Sequence, residues 1–242
     1  MSKAQKFSSR KLLVLGLVIA LVLVMLKLAF WQLDRAAQKE QLLEQWNKSP
    51  QLLREPLSDV AENVFQKVTV AGSLRDQRYF LLDNKTRKGR VGYEVLAPFK
   101  YQQHWLIVNL GWVAGSVDRK VLPQLILPEE PVQLTGWLKK VESAFKLKDD
   151  QWQQSWPVRI QQVDLKKMQQ SLGIEQLGNY ILLVEDPLLA TFITAWRPVN
   201  MSVEKHQAYA LQWLLMALVL SGLTFRFIYK QRLEMRATTY EQ

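Results

Sequence analysis

The 242-residue chain has no cysteine, only two histidines, 10 glycines and 9 prolines. Without thiols it cannot form disulfides, iron–sulfur clusters, thiolate zinc sites or a cysteine nucleophile. Its histidines, His104 and His206, stand far apart, and no serine sits in a G-x-S-x-G elbow. P-loop and dinucleotide-binding glycine patterns are missing too. The carboxylate pairs Glu129–Glu130 and Asp149–Asp150 fall in polar, Pro- or Lys-rich stretches and read as solvated loops. His104 opens the apolar stretch "HWLIVNLGW" and reads as a hairpin-end residue. Neither a catalytic centre nor a copper or zinc cage is expected, and the chain is read as a non-enzyme.

Acidic charge is also scarce: 32 lysines and arginines face 22 acids, giving +10. Between Trp31 and Lys205, however, 23 basic residues meet 20 acids, a net of +3. Most of the excess therefore flanks two apolar runs, as membrane orientation requires, and no interleaved basic and aromatic patch suggests nucleic acid.

The first apolar run, "LLVLGLVIALVLVMLKLAF", covers residues 12–30 with Lys27 as its single charge. At about 1.5 Å per residue, 19 residues nearly cross a hydrocarbon core of about 30 Å. Lys27 lies near the far end, where its stem can reach the headgroups, and Trp31 follows as an interfacial aromatic. A cleavable signal peptide is the alternative, but the run is long and "KLAFWQLDR" offers no small-x-small site, so a retained anchor is favoured. The second run begins at Ala208, stays apolar on all faces, and places Tyr209 and Trp213 as a second aromatic belt.

The expected organisation is a basic cytoplasmic tail (1–11), a transmembrane helix (12–30), an extracytoplasmic β-rich domain (31–205), a second transmembrane helix (206–228) and a cytoplasmic tail (229–242). Basic flanks put both termini in the cytoplasm. A start at Met with no long Arg/Ser-rich leader makes a bacterial inner membrane with a periplasmic domain the simplest setting. The fold class is thus an α+β membrane protein, two transmembrane helices flanking an antiparallel sheet or small barrel.

Residues 33–48 have helical charge spacing and should continue the first helix outward. Period-two alternation predicts strands at 65–74, 78–82, 93–100, 105–112, 132–138 and 180–184. Asp164 and Gly173 bracket a short helix as start and stop. "VTVAGSL" and "VQLTGWL" each place Gly two residues before Leu, which predicts a bulge or sharp bend in a curled sheet.

Two segments carry candidate binding chemistry. In "LLDNKTRKGRVGYEVLAPF", residues 81–99, Lys85, Arg87, Lys88 and Arg90 concentrate positive charge on turn formers. This is either a charged hairpin loop or an electrostatic contact for an acidic partner or haem propionates. In "EKHQAYALQW", His206 meets the start of an apolar helix and shares a face with Tyr209, Ala210, Trp213 and Ala217. It is either an interfacial histidine with belt aromatics or a haem-iron ligand beside rings that can stack on a macrocycle.

Four segments, "FWQLDRAAQK", "LLDNKTRKGRVGYEVLAPF", "WLIVNLGWV" and "EKHQAYALQW", in this order and within a two-span layout, resemble the surfeit-locus (Surf1/Shy1-type) family of cytochrome c oxidase assembly factors. The resemblance implies a role in maturing haem–copper oxidases where haem a enters subunit I. Expected partners are that subunit, other oxidase assembly factors and membrane lipid. It also implies His206 as candidate ligand of haem a, with Trp31, Gln32 and Arg35 matching a Trp-Gln-x-x-Arg motif; with Tyr209 and Trp213 they form the candidate cofactor site. The chain departs from the family pattern at Ala29 and Ala208, where glycine is usual, and at Leu110, where "N-R-G-W" has arginine. Three readings follow: presentation or stabilisation of haem a, a scaffold for an oxidase intermediate that binds no haem, or an unrelated membrane-anchored sensor or secretion accessory.

Overall fold

A computed structural model describes residues 9–52, 65–141, 152 and 155–240; side chains are described as far as Leu233. The chain divides into two compact units, one of Met1–Gln41 with Val199–Gln242 and one of Leu42–Pro198.

The first unit is built on two long helices, α1 (Ser9–Trp46) and α3 (Val203–Tyr240), both long and apolar enough to cross a membrane. α1 therefore continues past Trp31, as the charge spacing of residues 33–48 predicts, and α3 runs well beyond residue 228. Only 6% of each apolar window is fully buried, so most of these side chains face outward, the arrangement lipid would cover. The withdrawn positions follow a seam. On α1 they include 15, 18, 22, 25, 29, 32, 36 and 39, and on α3 206, 210, 213, 217, 220 and 224. Alternating steps of three and four are the signature of two helices packed along one stripe. The pair is antiparallel: Lys11 Nζ donates to Gln231 Oε1 (3.2 Å) near one end, and Gln32 meets His206 toward the other.

The second unit is a closed five-stranded barrel. β2 (Phe65–Leu74) pairs antiparallel with β6 (Val132–Lys140), β6 antiparallel with β8 (Leu177–Val184), and β8 parallel with β5 (His104–Ala114). β5 is antiparallel to β4 (Arg90–Tyr101), and β4 returns to β2 through Ser73–Lys100 and Leu74–Phe99. Two short strands lie outside the ring: β1 (Gln51–Leu52), parallel to β2, and β7 (Val158–Ile160), parallel to β3 (Phe80–Arg87), which itself flanks β4. Both were too short to show as alternation. The six predicted strands are present: β2 agrees in its bounds, β3 begins two residues later than predicted and runs five further, and the other four are extended at one or both ends.

Alternate residues of all five ring strands, among them Val70, Ala97, Val108, Leu134 and Leu182, form the barrel interior. On the opposite face Phe80, Leu96, Ile107 and Ile181 pack with Met168 and Leu172 of α2 (Leu165–Leu172). β5 is consequently buried on both faces, which is why "LIVNLGW" reads as a nearly unbroken apolar run. α2 begins and ends as predicted: the Asp164 side chain accepts from Lys167 N, and Gly173 takes the left-handed conformation at φ 62°.

The paired glycines act differently from expectation. Neither Gly72 nor Gly136 interrupts the β2–β6 register. Instead, a Cβ on Gly72 would lie 2.0 Å from Lys100 O, and one on Gly136 would lie 2.1 Å from Leu183 O. Both sit where a second strand crosses close over the backbone, and at Gly72 β2 passes from β6 to β4 and closes the ring. The register shifts fall elsewhere, between Leu82 and Lys85, between Val95 and Leu96, and between Trp105 and Ile107 where β5 pairs with β8. In the second, Leu110 is the extra residue of β5, followed by Gly111 at φ 127°, and its side chain is fully buried in the barrel core.

Candidate functional site

The most unusual polar group lies on the seam between α1 and α3. His206 is 7% exposed, and its Nδ1 is 2.7 Å from Gln32 Oε1. An amide oxygen has no proton to give, so the imidazole N–H must donate from Nδ1. In the neutral ring the lone pair is then on Nε2, which is itself buried and meets no hydrogen-bond partner among the described residues. Leaving such a group unsatisfied costs about 1–3 kcal/mol, so it calls for an explanation. Pinning one ring nitrogen to a carbonyl while the other stays free is how ligand histidines are oriented toward a metal.

The donor chemistry therefore fits a haem iron. The space does not: Nε2 is fully enclosed, so the helices as packed here leave the lone pair no open approach. Withdrawn alanines line the same seam, Ala29 and Ala36 on α1, Ala210 and Ala217 on α3. The family departures separate on this basis. Ala208 is exposed, so its methyl group is off the seam and does not crowd His206. Ala29, one turn before Gln32 and 4% exposed, puts its methyl group into the seam.

The other candidates distribute around this pair. Trp31 is exposed, with the Arg35 guanidinium 5.7 Å from its ring centre; Arg35 Nη1 also donates to Gln38 Oε1 (2.9 Å), and Gln38 Nε2 to Asp34 Oδ2 (2.8 Å). Trp213 is half-buried on the seam, while Tyr209 faces outward. Of the six, Gln32 and His206 are in direct contact, and Trp31 with Arg35 forms a second pair on the adjacent face of α1.

The basic hairpin belongs to the barrel unit. Lys88 and Gly89 form its two-residue turn, both with positive φ (48° and 76°), which this tight connection demands. Glu94, held by Asn109 Nδ2 at 3.0 Å, draws in both Lys85 (3.9 Å) and Arg87 (3.7 Å). Arg87 also donates to Ala195 O (3.0 Å) and stacks on Trp196 (5.7 Å). Lys85 and Arg87 thus serve the fold, while Lys88 and Arg90 at the tip are exposed and make no ion pair among the described residues. Next to them, Arg119 grips Asp83 through Nη2 at 2.8 and 3.0 Å, anchoring the segment between β5 and β6. Glu94 and Asn109 were not singled out in the sequence; the charge-reversing Glu94 within a basic hairpin was the available signal.

His104 opens β5 opposite Tyr101, at the end of the β4–β5 hairpin as predicted. Glu129 and Glu130 are exposed, while Asp149 and Asp150 lie outside the described residues.

A closed barrel, preceded and followed in the chain by a helix long and apolar enough to span a bilayer, is the layout of a two-span membrane protein of the α+β class. The chain belongs to the SURF1 family, whose family model matches residues 19–218, from within α1 to within α3. That family is associated with cytochrome oxidase assembly and is not known as catalytic. Comparison with curated proteins gives no match.

Proposed function

We propose that this protein is a non-catalytic assembly factor for haem–copper cytochrome c oxidase that presents or stabilises haem a while subunit I matures. The observation that carries this reading is the buried Nε2 of His206, which has no hydrogen-bond partner among the described residues, with Nδ1 held by Gln32. Haem a is cargo here, and Nε2 is the donor this chain offers to its iron. The enclosure of Nε2 makes access conditional: the seam around His206 must part before the cargo is ligated. Trp31, Tyr209 and Trp213 then offer aromatic faces at the same helix ends, and Arg35 a cation for a propionate. Lys88 and Arg90 are the exposed cations for an acidic surface on subunit I or another assembly factor. Lys85 and Arg87 shape the hairpin that presents them.

The setting we infer is the bacterial inner membrane, with both termini cytoplasmic and the barrel periplasmic. Basic residues at the terminal ends of both helices support it. A second reading, a scaffold that holds an oxidase intermediate without haem, is favoured by the same enclosure, since a closed seam needs no cargo. Affinity capture of the full chain from cells with and without haem a synthesis separates the two. A carrier releases or retains subunit I according to haem supply, and His206→Ala removes that dependence. Capture independent of both haem supply and His206 would support the scaffold and overturn the carrier.

A further inference from the structure

At the opposite end of the helix pair from His206, α1 and α3 leave a groove of about 400 Å³. Its walls are apolar, formed by Val14 and Val18 on one side and Leu223 and Phe227 on the other. The one hydroxyl in the lining, Thr224 Oγ1, turns away into its own helix and donates to Leu220 O (2.7 Å). At the outer rim stand Arg10 and Lys11. Around them this end is cationic: Arg226, Lys230 and Arg232 join them, and no carboxylate occurs among the described side chains of residues 10–18 and 221–233.

Hydrocarbon walls with a basic rim match one class of molecule, an amphiphile with an apolar chain and an anionic head. We propose that this groove binds an anionic phospholipid, with one acyl chain between α1 and α3 and its phosphate at Arg10 and Lys11. The inference rests on α1 and α3 being membrane spans, and it is independent of haem binding. A neighbouring protein helix would also find apolar walls, but it would leave the cationic rim without a counter-charge. Juxtamembrane cations at an anionic leaflet strengthen lipid association by about five-fold each, so both together should give about twenty-five-fold.

The test is native mass spectrometry of the full chain in detergent, titrated with phosphatidylglycerol or phosphatidylcholine. Alkaline carbonate extraction of membranes is done first, and a chain that leaves the membrane overturns the spanning reading and this site with it. The wild type should retain phosphatidylglycerol in preference to phosphatidylcholine. The double substitution R10Q/K11Q should abolish the preference, whereas R226Q/R232Q, equal in charge but outside the groove lining, should leave most of it. Val18→Trp, which fills the groove, should lower retention of both lipids. Equal retention of the two lipids by the wild type, or equal losses from the two double variants, would overturn the site. So would a Val18→Trp chain that binds as before.

Discussion

His206 Nδ1 and Gln32 Oε1, 174 positions apart in the chain, lie 2.7 Å from one another across the seam of α1 and α3. The contact sets which imidazole nitrogen keeps its lone pair. Gln32→Leu removes the acceptor and should release the ring to mix tautomers, while Gln32→Glu, which still accepts, should keep one. Nitrogen-15 spectra of histidine-labelled protein read this directly, without any cargo. Loss of such an orienting partner typically weakens metal binding about 10–100-fold, so haem retention should fall by a similar factor in Gln32→Leu. An unchanged tautomer in that variant would remove Gln32 from the site.

Tyr79 tests how the long connection between β5 and β6 is held. Its hydroxyl donates to Pro123 O (3.0 Å) and accepts from Leu125 N (2.9 Å), beside Gln77, which exchanges two bonds with Leu127 (2.7 and 2.8 Å). Tyr79→Phe leaves both backbone groups unmet and should cost about 1–3 kcal/mol in denaturant unfolding of the full chain. Burial also raises the Tyr79 pKa above the ordinary 10.0, partly offset by the Leu125 N–H. The folded state therefore keeps this proton to higher pH than the unfolded chain. Its contribution is complete below about pH 10 and is lost as pH rises through the folded value. The wild type should lose more stability in that alkaline window than Tyr79→Phe does.

Barrel closure depends on Gly72. Its Cβ position falls 2.0 Å from Lys100 O, a backbone atom that cannot step aside without breaking the β2–β4 pairing. Gly72→Ala should open the ring there and expose β2 to limited proteolysis. Gly173→Ala, in open space but at positive φ, should cost only about 1 kcal/mol and leave the barrel protected.

The four hairpin cations should divide by pairs. Charge reversal at Lys88 and Arg90 should weaken capture of the oxidase partner, more at low salt than at high, with thermal stability nearly unchanged. Reversal at Lys85 and Arg87 sets like charges against Glu94 and should lower stability first. Equal effects of both pairs on capture at constant stability would contradict this division.

Much of this architecture is legible in the sequence because the relevant signals are local. Residues 12–30 announce a span by apolar length, α2 by its Asp and Gly ends, and the ring strands by alternation or, in β5, by an almost unbroken apolar run. Closure is not local: Ser73 meets Lys100 only when five strands have curled, so the Gly-x-Leu pattern is visible but its meaning as a crossing point is not. β7, at three residues, is shorter than any periodic signal. The hairpin's charge is plain, yet which cations Glu94 neutralises depends on strand pairing and on the bulge before Lys85. His206 could be chosen from its place at a membrane helix, and Gln32 from the family resemblance. Their contact, and the seam methyl group of Ala29, belong to helix packing.

That methyl group gives a graded test of access. Ala29→Gly removes bulk from the seam and should raise haem retention several-fold, whereas Ala29→Leu, which must be fitted into a packed stripe, should abolish it while the chain stays in the membrane. Identical retention in all three chains would mean that the seam does not control access to His206.

The most direct measurement of the central claim is the visible absorption spectrum of the full chain purified from cells making haem a, wild type against His206→Ala. The account predicts a haem a spectrum in the wild type and its loss in His206→Ala, with both chains folded and membrane-bound. No haem in either, while subunit I still co-purifies with both, would contradict it.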